Sequence, residues 1–189
     1  MIRRLSVLAA LAGTAAIAGC SNNPDRYSVA APQASAQQRI AFRAVEIRKI
    51  SLPGYAAADE IALQDPSGKV VENEEALWAD SPERAIGLEL SRHLARITNA
   101  RIASEPWPFE AYADARLELR FAELVANTQG VMRAEGQYFV SATNGGRERS
   151  GLFDLAVNFD PNGGPPAIAE ARGRLILELA EFLARTALR

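Results

Sequence analysis

The sequence predicts an α+β protein in which two helices pack on one face of a mainly antiparallel sheet. Three segments between residues 116 and 159 alternate apolar and polar side chains, which is typical of strands with one buried face. Two segments, 82–98 and 167–187, carry apolar residues at helical spacing. Short turns join the three strands, as in an antiparallel meander. Two apolar helix stripes and one apolar sheet face can bury one another in such a sandwich.

The N-terminus has the parts of a bacterial lipoprotein signal. Arg3 and Arg4 form a short positive region, and the apolar run over 5–18 is shorter than the roughly 20 residues that span a bilayer. Ile17-Ala18-Gly19-Cys20 resembles a lipobox, an aliphatic residue followed by two small ones and a cysteine. The resemblance implies a signal peptide over 1–19 and a diacylglyceryl group on the Cys20 thiol. The alternatives are an ordinary secretory signal with a chance cysteine, or a buried thiol in a soluble protein.

Cys20 is the only cysteine, so no disulfide can form within one molecule. Ser21 follows it, where an aspartate commonly retains proteobacterial lipoproteins in the inner membrane. We therefore expect a lipid-anchored protein of the cell envelope, at the outer membrane and facing the periplasm.

Charge and composition limit the remaining chain. Removal of residues 1–19 leaves 19 basic and 23 acidic side chains, and the basic ones are scattered. This balance argues against nucleic-acid binding and against a polybasic membrane surface. Residues 20–38 are small, polar and proline-containing, which predicts a flexible linker with a span on the order of 25 Å. Within it, 26–29 could pair as a short edge strand, and 39–189 is predicted to form one domain.

The first half of this domain begins with an extended run over 40–52, closed by Pro53-Gly54. Strands over 60–64 and 69–72 form a hairpin around Asp65-Pro66-Ser67-Gly68, which has strong turn chemistry. A short strand is predicted over 101–104.

The first helix follows Ser81, a suitable N-cap, with Pro82 at its first position, and it ends at Asn99. Its apolar stripe contains Ile86, Leu90, Leu94 and Ile97, and its charged residues fall mostly off that stripe, namely Arg84, Glu89, Arg92 and Arg96.

Three alternating strands and a helix complete the second half. The turns between the strands are 127–130 and 144–146, and 162–166 precedes the final helix. The face of the sheet away from the helices is left to solvent or to a partner, and it carries Arg116, Glu118, Arg120, Arg133 and Glu135.

Candidate catalytic residues are few. His93 is the only histidine, and no nucleophile elbow or zinc motif accompanies it, so we expect a partly buried structural histidine. Glu72, Glu74 and Glu75 are too sparse for a calcium site and are predicted to form a solvated loop. The tryptophans, 78 and 107, are predicted to anchor the core. We therefore predict no catalytic, cofactor-binding or metal site, and no enzyme.

From Cys20 to the last helix, the chain resembles the ABC-type transport auxiliary lipoproteins, the PqiC/YmbA-like family. The resemblance is carried by a tyrosine-containing segment after the cysteine (26–29), by Leu52-Pro53-Gly54-Tyr55, by Ile61 in the hairpin, and by Leu77-Trp78-Ala79-Asp80 before the helix. One departure is the segment after the tether, where the family often has a Tyr-Tyr-x-Leu-like pattern and this chain has only Tyr27 and Val29.

The resemblance implies a non-catalytic role beside a transporter built from a cytoplasmic ATPase, a permease and a periplasmic protein with a mammalian-cell-entry (MCE) domain. Intermembrane lipid transport and envelope integrity are the expected process, and the implied assembly includes a homo-oligomeric ring. The alternatives are a structural lipoprotein that supports assembly of another envelope complex, and an envelope hydrolase.

Overall fold

The computed structural model describes residues 23–30, 32–33, 37–143, 145–146 and 148–189, which form one eight-stranded sheet and three helices. The strands are β1 (Asp25–Tyr27), β2 (Ala44–Ile47), β3 (Glu60–Gln64), β4 (Val70–Trp78), β5 (Arg101–Ser104), β6 (Ala115–Asn127), β7 (Val131–Ala142) and β8 (Arg149–Asn158). The helices are α1 (Gly54–Ala57), α2 (Pro82–Thr98) and α3 (Gly164–Thr186).

The α+β class is confirmed, but the sheet is mixed rather than mainly antiparallel, and α1 is a third helix. Three pairings are antiparallel, β3–β4, β6–β7 and β7–β8. The parallel pairings are β1–β4, β2–β5, β2–β6 and β3–β6. The meander was predictable because its short turns force antiparallel neighbours. The parallel pairs join strands that are distant in sequence, so no turn indicates their direction.

Two groups of strands share one edge of β6 and lie at different positions along it. β2 pairs with β6 up to Leu117 and carries β5 on its other side; we call this the β5 end of the sheet. β3 pairs with β6 from Ala126 and is followed by β4 and β1; we call this the β1 end. Nine residue steps from 117 to 126 correspond to roughly 30 Å of strand. The two ends are therefore well separated.

The helices and the sheet enclose one core. Along β6 and β7 the buried side chains alternate with exposed ones, as the period of two predicts. α2 and α3 pack against each other, α2 contacts β5, and α3 contacts β7 and β8. Leu90 and Leu94 of α2, Leu175 and Leu179 of α3, and Leu117 of β6 are completely buried in this core.

Element boundaries differ in informative ways. The run over 40–52 contains only a four-residue strand, whereas β4 continues to Trp78 and includes the glutamates predicted as a loop. Ser81 precedes α2 but makes no side-chain cap hydrogen bond; the backbone N–H of Ser81 instead donates to Asp80 Oδ1 at 2.9 Å. Asn99 ends α2 in the left-handed conformation at φ 58°, as predicted.

Part of the predicted linker is packed on the domain. Residues 25–27 form β1, which confirms an edge strand near the suggested position. Beyond it, Val29 and Pro32 lie against Gly173 of α3. The packed part of the chain therefore begins before residue 39.

Candidate docking surface

The loop that joins β5 to β6 carries exposed aromatic side chains. We call residues 105–113 the aromatic loop. Phe109 is 43% and Tyr112 82% exposed. The Trp107 ring meets the Phe109 ring edge to face, with centroids 4.9 Å apart, and Trp107 Nε1 donates to the Ala111 carbonyl at 2.7 Å. The Trp107 and Phe109 rings are therefore held in place before any partner arrives, which lowers the entropic cost of binding.

Trp107 is not the core anchor that the sequence predicts. Prolines 106 and 108 flank it and interrupt regular structure, and it is only partly buried. Trp78, in contrast, lies in the core as predicted. A cluster of Trp, Phe and Tyr at a surface is typical of the residues that dominate protein interfaces.

A groove of about 520 Å³ adjoins the aromatic loop. Ile47 and Ile50 are buried beneath it, and Leu88 of α2 lines it with 39% of its surface exposed. Glu105 and Pro106 belong to both the groove and the loop. The loop and the groove therefore adjoin at these two residues, and together we call them the docking surface.

Ion pairs line this groove. Arg48 Nε lies 2.9 Å from Glu105 Oε2, and Lys49 Nζ lies 3.0 Å from Glu83 Oε2. These exposed pairs add little to stability because water screens them. Arg84 also lines the groove and pairs with Asp80 outside it, so each cation of the rim has a carboxylate partner. Such a rim suits a protein partner of mixed surface charge better than a purely anionic one.

The outer face of the sheet is a weaker candidate. Arg120 Nη2 lies 2.6 Å from Glu118, Arg116 Nε lies 3.0 Å from Glu46, and Arg133 pairs with Glu135 and with Asp154. The cations of this face are therefore neutralised by neighbours on the same sheet. This pattern is that of a solvated face.

A buried ion pair joins α2 to α3 in the interior of the domain. Arg172 of α3 is 3% exposed, and its Nη2 donates to Glu89 Oε1 of α2 at 3.2 Å. The guanidinium also stacks over Trp78, 4.1 Å from the ring centroid. Glu89 is only 6% exposed, although it lies off the apolar stripe of α2. Its partner, Arg172, comes from α3, so the periodicity of α2 alone cannot predict this burial.

Burial opposes the charged forms of both partners. It raises the pKa of Glu89, although the charge of Arg172 acts in the opposite direction. It lowers the pKa of Arg172, against the opposing effect of Glu89. Among the described residues, Arg172 Nε and Nη1 and Glu89 Oε2 have no hydrogen-bond partner. A cavity of about 20 Å³ lined by Arg172 and Trp78 has room for one water molecule.

His93 is completely buried in α2 rather than partly buried. In the part of the chain that the structure describes, neither ring nitrogen has a hydrogen-bond partner. Burial, and then the charges of Arg92 and Arg96, lower the pKa of His93 below its ordinary value of 6.5. The fold therefore holds the neutral imidazole.

We expect His93→Leu to flatten the acid dependence of stability. The wild-type free energy of unfolding should fall as the pH drops from 6.5 towards the lowered pKa, because only the unfolded chain binds the proton readily. At pH 7.5 the variant should be as stable as wild type or about 1 kcal/mol more stable, since a buried unsatisfied group is removed. Urea unfolding at pH 7.5 and 5.5 measures both effects. His93→Gln keeps a buried polar group but does not titrate, so its free energy of unfolding should lack the fall that His93 causes between pH 7.5 and 5.5 and should be lower than that of His93→Leu. An equal change of the free energy of unfolding with pH in all three proteins would contradict the prediction.

The other residues that the sequence singled out have the following places in the structure. Glu72, Glu74 and Glu75 are exposed on β4, and no group of three or more His, Cys, Asp or Glu among the described residues is arranged to hold a metal ion. The turn 127–130 is confirmed, and 161–163 leads into α3. Asn144, in the other predicted turn, and Cys20 lie outside the described residues. Across the described chain, no helix combines the length and apolarity needed to cross a bilayer.

An α+β domain whose most prominent surface is a groove beside preorganised aromatic rings has the form of a binding module. The family model for the ABC-type transport auxiliary lipoprotein component matches residues 27–184. The chain therefore belongs to that family, as its resemblance implied. Its class is thus an auxiliary component of an ABC-type transport system, and membership of a lipoprotein family associates it with the cell envelope.

Solved structures share the fold. Protein XCC0632 from Xanthomonas campestris, of the family DUF330, is similar with a TM-score of 0.71 and 14% identity, over 87% of this chain and 94% of that one. An uncharacterized protein is similar with a TM-score of 0.69 and 14% identity, over 87% of this chain and 98% of that one. No curated protein sequence matches the chain.

Proposed function

We propose that this protein is the outer-membrane-anchored lipoprotein subunit of an MCE-type ABC lipid transporter. In this role it is a non-catalytic docking component in intermembrane lipid transport and envelope integrity. Family membership over 27–184 is the observation that carries the proposal, because it assigns the chain to transport and to lipoproteins together. ATP hydrolysis belongs to the ATPase of the complex, and the periplasmic MCE-domain protein is the direct partner.

The anchor is the acylated thiol of Cys20, exposed by removal of the signal peptide over 1–19. The lipobox at 17–20 supports it, and Ser21 favours the outer membrane. Two or three acyl chains bind far more firmly than one, since each buried CH₂ contributes about 0.8 kcal/mol. The protein then stays at the membrane while its partner arrives from the periplasm.

The docking surface is the contact for the MCE-domain protein. Its preorganised aromatics and its adjacent groove provide the central apolar cluster that protein interfaces use. Its ion pairs form a polar rim around that cluster. This arrangement supports a protein partner, and it needs no catalytic group.

The ring belongs to the same proposal. β8 is ten residues long and, among the described strands, pairs only with β7. An open edge of this length presents unpaired backbone groups to a neighbouring copy. Leu152 on this strand is also highly exposed. Chemical crosslinking of the intact protein would show a ladder of homo-oligomers if the edge is used in this way.

Co-purification tests the function. Detergent-solubilised membranes carrying the full-length lipoprotein should yield the MCE-domain protein and its permease and ATPase after mild crosslinking. Recovery of an outer-membrane assembly complex instead would favour the structural alternative. Recovery of neither would contradict the proposal.

Substitution of the aromatic loop should reduce this recovery. We expect Tyr112→Ala combined with Phe109→Ala to lower the yield of partner by at least tenfold, because interface aromatics often contribute 2 kcal/mol or more each. Quantitative mass spectrometry of the co-purified subunits measures the change. Val71→Ala removes an exposed apolar side chain from β4 and serves as the matched control. Equal yields from the loop variant and the control would place the docking surface elsewhere.

A further inference from the structure

The N-terminal segment is fixed to the domain immediately after the anchor. β1 pairs in parallel with β4, with Asp25 opposite Ala76 and Tyr27 opposite Trp78. The Ala79 N–H donates to the Tyr27 carbonyl at 2.9 Å, and Arg26 Nη1 donates to the Trp78 carbonyl at 3.1 Å. Tyr27 also packs against the core.

The chain then crosses the helical layer. A Cβ atom at Gly173 of α3 would collide with the carbonyl oxygen of Ala30 and would lie 3.0 Å from Val29 Cγ1. Glycine is unfavourable inside a helix, so its presence in the middle of α3 is explained by this close approach. Further along, the Gln38 N–H donates to the Ile97 carbonyl at the end of α2, and the Ala41 N–H donates to the Leu188 carbonyl, both at 2.8 Å.

We call the described residues of this segment, 25–30, 32–33 and 37–42, the N-terminal strap. Only five residue steps separate Cys20 from Asp25, so this stretch spans at most roughly 18 Å in any conformation. Without the strap, the 24 steps from Cys20 to β2 could span up to roughly 80 Å. The strap therefore shortens the reach of the domain about fourfold.

We infer that the strap holds the domain close to the lipid surface, with the β1 end of the sheet facing the headgroups. This rests on the proposed acylation of Cys20. β1 starts beside Glu74 and Glu75, which together with Asp25 line one shallow depression. These carboxylates are exposed, so this end of the sheet can face the hydrated headgroups without burying a charge.

The same geometry directs the docking surface. The aromatic loop joins β5 to β6 at the β5 end, beside Leu117. β1 lies level with Glu60 of β3, three residues before the Leu63–Ala126 pair, so roughly 20 Å along β6 separates β1 from Leu117. A leash attached at the β1 end leaves the loop on the side away from the bilayer. The strap thus sets both the height of the domain and the direction in which it presents the aromatic rings.

Energy transfer from the domain to the bilayer tests the inference. Cys20 is consumed by acylation, so a cysteine introduced at Glu74 or at Tyr112 is the only free thiol in the lipoprotein. A donor dye on Glu74→Cys or on Tyr112→Cys is measured against a headgroup acceptor in phosphatidylethanolamine/phosphatidylglycerol vesicles. We expect efficient transfer from position 74 and weaker transfer from position 112, which is more distant by roughly 20 Å.

One change lengthens the leash, and a second shows which part of the strap sets its length. Six Gly/Ser residues inserted between Asn23 and Pro24 keep the strap and add up to roughly 20 Å, so they should reduce transfer from position 74 severalfold. Gly173→Ala crowds only the strap beyond β1, so β1 stays paired with β4 and transfer from position 74 should not change. Glu178→Ala, on an exposed site of α3, should leave transfer unchanged.

The outcomes separate the inference from the proposed function. Equal transfer from positions 74 and 112 in the wild-type background, or no response to the insertion, overturns the inference while the anchor stands. Failure of the protein to bind vesicles, with an unmodified Cys20 by mass spectrometry, overturns the anchor itself.

Discussion

Cys20→Ala is expected to release the whole domain from the membrane and to abolish complementation of a deletion strain. The thiol is the proposed acyl acceptor, so this variant carries no lipid on residue 20. Loss of the acyl chains removes about 0.8 kcal/mol for every buried CH₂, which for two or three chains is the entire anchor. The folded domain itself should persist, because the residue precedes the packed part of the chain.

Membrane fractionation and a complementation assay measure this effect. The wild-type protein should sediment with outer membranes, and the variant should be absent from them. Ser21→Ala, which changes the adjacent residue but keeps the thiol, is the matched control and should sediment normally. A soluble variant that complements fully would show that the anchor is dispensable and would contradict the proposed role.

Glu89→Ala is expected to cost about 3–5 kcal/mol of the free energy of unfolding. The substitution leaves the guanidinium of Arg172 buried and without its carboxylate, and an unpaired buried charge is among the most destabilising changes in a protein. Trp78 still stacks on the guanidinium, but it cannot replace the carboxylate. This loss is a large fraction of the roughly 5–15 kcal/mol by which folded domains are stable.

Urea unfolding of the acyl-free domain measures this loss. The double variant Glu89→Leu with Arg172→Met removes both charges and keeps the volume, so it should be close to wild type or more stable. Glu178→Ala, an exposed glutamate on α3, should change stability by less than about 0.5 kcal/mol. A loss below about 1 kcal/mol for Glu89→Ala would mean that the pair contributes little and that water already solvates Arg172.

Local sequence patterns predicted the strands of the meander and the end of α2, because these features depend on neighbouring residues in the chain. The alternation along β6, β7 and β8 reports one buried face, and Asn99 marks the end of α2 by its tolerance of the left-handed conformation. The sequence did not indicate which strands pair with one another. β2 and β3 both lie parallel to β6 although more than 50 residues separate them from it, and no local pattern encodes such an arrangement.

The functional features depended on tertiary context in the same way. Glu89 lies off the apolar stripe of α2, and its burial depends on Arg172, which comes from α3. The sequence of α2 alone therefore gave no sign of it. Trp107 was predicted to be a core residue because tryptophan is usually buried, yet prolines on both sides hold it in a surface loop. The density of proline and aromatic residues over 106–112 was a visible signal. Gly173 in the middle of a helix was another, and it marked the passage of the strap.

Site-specific photo-crosslinking in intact cells can show whether the aromatic loop contacts an MCE-domain protein. A photoreactive amino acid at Tyr112, in the aromatic loop, is compared with one at Glu74, at the β1 end. We expect a covalent adduct with the MCE-domain protein from position 112 and none with it from position 74. Adducts with an unrelated envelope complex from position 112, or no transporter subunit from either position, would contradict this expectation.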